Sequence, residues 1–136
     1  MPINKTSADK KVGGKNKILI VEDEIALLKA LADKFVKSGF DVVTAKNGQE
    51  GLDLYFKEKP QLIILDIVMP VMDGMTMLTK VREKNGGKIV PVIILTNLSD
   101  TRKVQEAMKH KVFDYLVKTD WSLDDIIAKA KKSLAK

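Results

Sequence analysis

The chain contains no cysteine. Disulfides and thiolate metal sites are therefore excluded, and a reducing compartment is the natural setting. Long hydrophobic runs are also missing. The longest apolar stretches are about five residues, against the ~20 that a membrane helix needs. The N-terminal stretch MPINKTSADKKVGGKNK is polar and holds no apolar signal segment. These absences predict a soluble, cytoplasmic protein with no membrane partner. No Gly-rich phosphate fingerprint follows the first apolar run, so a dinucleotide-binding fold is not supported. Histidine occurs once, at His110, apart from the acidic residues, and reads as a surface residue.

What remains suits one domain: 136 residues, 45% of them hydrophobic. The net charge is +6. Much of it sits at the ends, in Lys5, Lys10, Lys11, Lys15 and Lys17 and in Lys129, Lys131, Lys132 and Lys136. No arginine cluster or interleaved aromatics accompany these lysines. A solvated tail and a lysine-rich helix face are therefore preferred to a nucleic-acid surface. Residues 1–16 lack periodicity, contain Gly13-Gly14, and read as a disordered basic arm.

From Lys17 onward, apolar runs alternate with helical patterns. KILIV (17–21), FDVVTA (40–45), QLIIL (61–65), PVIILT (91–96) and VFDYLVK (112–118) read as strands. Leu27, Leu31 and Phe35 mark a first helix, closed by Gly39. Asn47-Gly48 marks a turn, and Leu52, Tyr55 and Phe56 a second helix that Pro60 ends. Met77, Leu78 and Val81 mark a third, broken at Gly86-Gly87. A weakly patterned fourth helix covers 100–110. The fifth opens at Ser122, an N-cap residue, and runs through Leu123, Ile126, Ile127, Ala130 and Leu134. Several strands are apolar on consecutive residues, as in a parallel sheet covered by helices on both faces. The fold class is therefore α/β, built from five β-α units.

In open α/β sheets, ligands bind beyond the carboxyl ends of the strands. The first strand ends in Glu22 and Asp23, the third in Asp66, the fourth in Thr96 and the fifth in Lys118. Three carboxylates, a hydroxyl and an ammonium thus meet on one rim. Each close carboxylate pair repels by ~1–4 kcal/mol. A hard divalent cation would offset this, and oxygen donors suit Mg²⁺. The same crowding predicts that Asp66→Asn stabilises the metal-free fold. Asp73 and Glu24 read as helix-start acids, not ligands.

With VEDE at 21–24, LDIVMPVMDG at 65–74, LT at 95–96 and YLVK at 115–118, the chain resembles the response-regulator receiver domains, the phosphoacceptor modules of two-component signalling. The motifs agree in order, spacing and place on the fold over about 17–134, placing a receiver domain at 17–136. The resemblance implies a doubly wound sheet of flavodoxin-like order 2-1-3-4-5. It implies that Asp66 accepts a phosphoryl group from a phosphohistidine of a sensor histidine kinase or phosphotransfer protein. Asp23, Asp66 and the main-chain carbonyl of Val68 would ligate Mg²⁺, with Glu22 acting through a water. Lys118 would pair with Asp66 and then with the phosphoryl group. Thr96 and Tyr115 would switch the surface of the fourth helix, fifth strand and fifth helix, where the family also commonly forms homodimers.

Several positions depart from the family pattern. Thr119 replaces the usual proline, Asn97 a small residue, and Lys111-Val112 a Gly-Ala pair. Val68 and Leu98, two residues beyond Asp66 and Thr96, imply slow self-dephosphorylation. Val68 also stands where aspartyl phosphohydrolases carry a general acid, which argues against a turnover enzyme. The fifth helix ends near the C-terminus, so a stand-alone receiver is expected, acting on an unidentified downstream protein or as a phosphorelay carrier. The alternative is a receiver-fold binding module that is not phosphorylated.

Overall fold

The computed structural model describes residues 16–84, 89–97 and 101–135, with Thr101 and Lys103 described by backbone alone. Strands and helices alternate: β1 (Lys17–Val21), α1 (Ile25–Lys37), β2 (Asp41–Ala45), α2 (Gly48–Glu58), β3 (Leu62–Leu65), α3 (Gly74–Lys84), β4 (Val92–Thr96), α4 (Thr101–Lys109), β5 (Asp114–Val117) and α5 (Leu123–Leu134). The five strands are parallel and ordered β2-β1-β3-β4-β5. This is the expected doubly wound α/β fold of flavodoxin-like order.

Burial explains the consecutive apolar runs. β3 and β4 are buried at every residue, and β1 at every residue after Lys17. Successive side chains of a strand point to opposite faces, so such runs need cover on both. On one face α1 and α5 bring Leu31, Phe35, Ile126 and Ala130 onto Ile20, Ile64 and Leu95. On the other, α2, α3 and α4 bring Leu52, Leu78, Val81 and Ala107 onto Leu19, Leu65 and Ile94. Each fully buried aliphatic or aromatic side chain contributes roughly 1.5–3 kcal/mol by leaving water. The edge strands β2 and β5 are only partly buried.

Local signals set the helix starts. Asn47 accepts a hydrogen bond from the Glu50 amide at 2.9 Å, so the expected Asn47-Gly48 turn is the cap of α2. Asp73 caps α3 through the Thr76 amide at 2.8 Å, in line with its reading as a helix-start acid. Ser122 and Asp125 form a reciprocal capping box on α5. β5 is shorter than its apolar pattern, because Val112 and Phe113 precede the ladder and Lys118 enters a 3-10 turn. The Gly86-Gly87 break and Leu98 lie outside the described residues, as does the expected arm apart from Asn16, whose carbonyl accepts from the Asp41 amide at 2.9 Å.

Lys111 occupies the left-handed region at φ +60, where a side chain is sterically disfavoured and glycine is not. It follows α4, whose last helical residue is Lys109. Lys111→Gly is therefore expected to stabilise the fold by about 1 kcal/mol, roughly a 4 °C rise in Tm. Thermal melts of the two proteins check this.

Candidate functional site

The parallel ladder carries the acids to the rim. The Asp66 amide donates to the Val21 carbonyl and the Glu22 amide to the Ala45 carbonyl, both at 3.0 Å. Both residues are thus held as extensions of their strands. Glu22 is 2% exposed and Asp66 5%, whereas Asp23 is exposed. Carboxylate oxygens of these three residues lie within 4.8 Å of one another.

Lys118 lies among them. Its ammonium is 2.8 Å from Glu22 Oε1, 3.1 Å from Asp66 Oδ2 and 3.7 Å from Glu24 Oε1. The remaining carboxylate oxygens also have donors. The Ile67 amide reaches Asp66 Oδ1 at 2.7 Å, and the Glu24 amide reaches Glu22 Oε2 at 2.9 Å. Burial pushes the Glu22 carboxyl above its ordinary value of 4.5, although the hydrogen bonds from Lys118 and from the Glu24 amide oppose this. Burial alone would lower Lys118. The hydrogen bonds and charges of Glu22 and Asp66 together outweigh it and raise the lysine above its ordinary value. The repulsion implied by the sequence is therefore already countered. Asp66→Asn exchanges repulsion against Glu22 for a lost ion pair, and no net gain in stability is expected.

Glu22, Asp23, Asp66, Val68, Thr96 and Lys118 all line one open pocket of about 300 Å³, with Glu24 and Asn97. Every residue expected at the acidic site is thus brought together. Glu24, read from sequence as a helix-start acid, also faces Lys118. Tyr115 is not a pocket residue: it is half-buried and packs against the core beneath α3 and α4. Thr96 pairs with Val117, so Tyr115, two residues earlier, shares the sheet face of Thr96. His110 is half-buried rather than a surface residue, with its Nε2 atom 3.5 Å from the Thr79 hydroxyl. No cis peptide occurs among the described residues; after Lys118 the chain makes a trans bond to Thr119 and a 3-10 turn over Lys118–Asp120.

The loop behind Asp66 is tightly built. Val71 has φ +71 and the Met72 amide donates to the Pro70 carbonyl at 2.7 Å, a γ-turn. The Gly48 amide holds the Met72 carbonyl at 2.8 Å, and the Gly74 amide holds the Ile67 carbonyl at 2.8 Å. A methyl group on Gly74 would overlap the Asp66 carbonyl oxygen. Glycine is required there so that α3 can start against the strand end.

The donor set is made of carboxylate oxygens, two of the three residues buried, with Val68 on the pocket wall. Such hard oxygen donors fit a hard divalent cation of the Mg²⁺ class.

The chain belongs to the response regulator receiver domain family, whose model matches residues 18–131. It is 37% identical over 123 residues to the protein-glutamate methylesterase/protein-glutamine glutaminase of Archaeoglobus fulgidus, covering 88% of this chain and 34% of that protein. The chain spans 34% to 42% of the length of the curated relatives it matches first. Among solved structures it is similar to the Francisella response regulator 1452 receiver domain, at TM-score 0.81 and 30% identity, covering 89% of this chain and 98% of that one. It is also similar to a chain of the CheX-CheY-BeF3-Mg²⁺ complex from Borrelia burgdorferi, at TM-score 0.83 and 26% identity, covering 93% and 94%. No helix among the described residues is long and apolar enough to cross a membrane.

Lys118→Met tests the charge balance of the pocket. It leaves Glu22 and Asp66 buried without their shared cation, and is expected to cost about 3 kcal/mol in chelator. The deficit shrinks in millimolar Mg²⁺. It also depends on pH. Burial raises the folded-state carboxyl of Glu22 above its unfolded value, so the neutral form is favoured in the fold. Stability is retained below about 4.5 and lost as pH rises through the raised folded value. Lys118 opposes this rise through its hydrogen bond and charge, so removing it raises Glu22 further and the deficit of Lys118→Met is larger at pH 8 than at pH 5. Denaturant melts across pH, with and without Mg²⁺, measure both dependences.

Proposed function

We propose that this receiver domain is a phosphoacceptor in two-component signalling, with Asp66 as the residue modified. The observation that carries the reading is the buried Asp66 carboxylate, held by the Ile67 amide and facing Lys118 and the other acids across one pocket. Asp23, Asp66 and the main-chain carbonyl of Val68 would hold Mg²⁺, with Glu22 acting through a water. When bound, the cation supplies charge neutralisation for phosphoryl transfer. A sensor histidine kinase or phosphotransfer protein is the donor class.

In the transfer, a carboxylate oxygen of Asp66 attacks phosphorus. The P–N bond to the donor histidine breaks, and the imidazole leaves with the bond's electron pair. The product is an acyl phosphate on Asp66. The strand end fixes the carboxylate, so little ordering remains to be done at the moment of reaction. Lys118 exchanges its contact with Asp66 for a phosphoryl oxygen, keeping a charge-assisted hydrogen bond throughout. The Thr96 hydroxyl donates to another phosphoryl oxygen. Its movement toward the phosphate makes room for Tyr115, on the same sheet face, to turn inward. The surface of α4, β5 and α5 then changes, which is how a new local charge biases a two-state element. A homodimer through α4-β5-α5 and a downstream protein on the same surface are the outputs this predicts.

Asn97 lines the pocket and Val68 is 59% exposed at its mouth. With an apolar residue at Val68 and no general acid in that place, the acyl phosphate is expected to be long-lived, and the domain to act as a carrier or switch rather than a turnover enzyme.

Intact mass after incubation with acetyl phosphate tests the reading. A phosphoryl adduct that requires Mg²⁺ and is absent in Asp66→Asn is the expected outcome. If a partner histidine kinase and acetyl phosphate both leave the wild type unmodified, the reading fails and the chain is a receiver-fold binding module that is not phosphorylated.

A further inference from the structure

Arg82 lies in the last turn of α3 and is half-buried. Its guanidinium spreads over three backbone carbonyls from two separate connections. Nε donates to His110 at 2.8 Å, Nη1 to Val90 at 2.8 Å and Nη2 to Lys111 at 3.3 Å. His110 and Lys111 directly follow α4, and Val90 leads into β4. Carbonyls at a helix carboxyl end have no partner within the helix and carry its negative pole. A cation with a planar fork of donors is suited to them, and a lysine ammonium could not span all three.

Among the described side chains of α4 only Ala107 is buried, and Met108 is 50% exposed. Its amino end follows Thr96, which lines the acidic pocket. At the other end of α3, Gly74 abuts the Asp66 backbone and its amide holds the Ile67 carbonyl at 2.8 Å. α3 therefore runs from the nucleophile's loop to the carboxyl end of α4.

We propose that Arg82 is a positioning residue of the switch, pinning the carboxyl end of α4 to α3 so that a displacement delivered through Thr96 swings α4 about that end. The inference rests on the phosphoacceptor reading above and adds to it which end of α4 moves. The fold thereby confines the change to the amino-terminal part of α4, while the start of β5 keeps its place.

Hydrogen exchange by mass spectrometry tests this on the full chain, comparing wild type, Arg82→Met and Arg82→Lys before and after acetyl phosphate with Mg²⁺. The peptides read are 102–106 and 107–113, with β1 and β3 peptides reporting global folding. In the unmodified state, Arg82→Met is expected to exchange about tenfold faster over 107–113, the size of one lost charge-assisted bond network, with β1 and β3 unchanged. In wild type, phosphorylation changes exchange over 102–106 and leaves 107–113 as it was. In Arg82→Met the change extends through 107–113, and Arg82→Lys falls between. Should Arg82→Met lose protection in β1 and β3 as well, Arg82→Lys carries the comparison.

Equal protection of 107–113 in wild type and variants overturns the pinning. A wild type in which phosphorylation changes 107–113 as much as 102–106 overturns the pivot. A constant exchange factor in the variants, the same in both states, assigns Arg82 to stability alone and also overturns it. Absence of an adduct on wild-type Asp66 is a different failure: it removes the phosphoacceptor reading itself.

Discussion

The ion pairs of Lys118 with Glu22 and Asp66 are the constraint around which the functional end of the molecule is arranged. Two carboxylates at 2% and 5% exposure cannot be left uncompensated next to each other. One ammonium, within 2.8 Å and 3.1 Å of them, supplies the counter-charge. Each of the three side chains comes from a different strand end. The charge balance therefore also fixes the relative positions of β1, β3 and β5, across sheet positions that are not neighbours for β5. A phosphoryl group or a cation entering the pocket must change this balance. That is the physical reason a local chemical event can be felt at β5.

A second constraint is conformational. The acids can converge only if the chain turns away at once after Asp66. The γ-turn at Val71 achieves this with a β-branched residue at φ +71, a backbone state that costs of order 1–3 kcal/mol and persists only where its surroundings enforce it. Two contacts enforce it here: the Gly48 amide holds the Met72 carbonyl, and the Gly74 amide holds the Ile67 carbonyl. The strain is thus spread onto α2 and α3, which pack on the same face of the sheet. Strain held next to the Asp66 carboxylate keeps its geometry fixed before any ligand arrives.

The sequence was legible where one physical signal dominates. Consecutive apolar runs located β1, β3 and β4 nearly to the residue, because burial on both faces leaves no other composition open to them. The rule that ligands sit beyond the carboxyl ends of parallel strands then placed Glu22, Asp23, Asp66, Thr96 and Lys118 on one rim. What it could not give were contacts that depend on side-chain reach. Glu24 sits at a helix start, where an acid already has a sufficient reason, so its approach to Lys118 had no separate signature. His110 stands in a polar stretch and is half-buried only because Thr79 and Arg82 of α3 come to meet it. Arg82 itself looks in sequence like any basic residue in a last helical turn. Its role follows from which backbone carbonyls happen to lie in front of it.

Packing is distributed unevenly across the helices. α1 and α5 bury long apolar side chains and are further tied by Lys34 and Asp124 at 2.7 Å. α3 buries Met75, Met77, Leu78 and Val81. α4 sets one alanine into the core among its described side chains, and the two residues that follow it are tied to α3 by carbonyl hydrogen bonds from Arg82. An element that must move on a modest free-energy change has to come from the low-stability end of the fold. β5 beside it is also only half-buried, and is held at its start by Asp114 and Lys129 at 2.9 Å, the same lysine lying 5.2 Å over the Trp121 ring. On the phosphoacceptor reading proposed above, a phosphoryl group on Asp66 would lie in the pocket it shares with Thr96 and Lys118, the residues that end β4 and follow β5, next to the lightly buried α4 and β5.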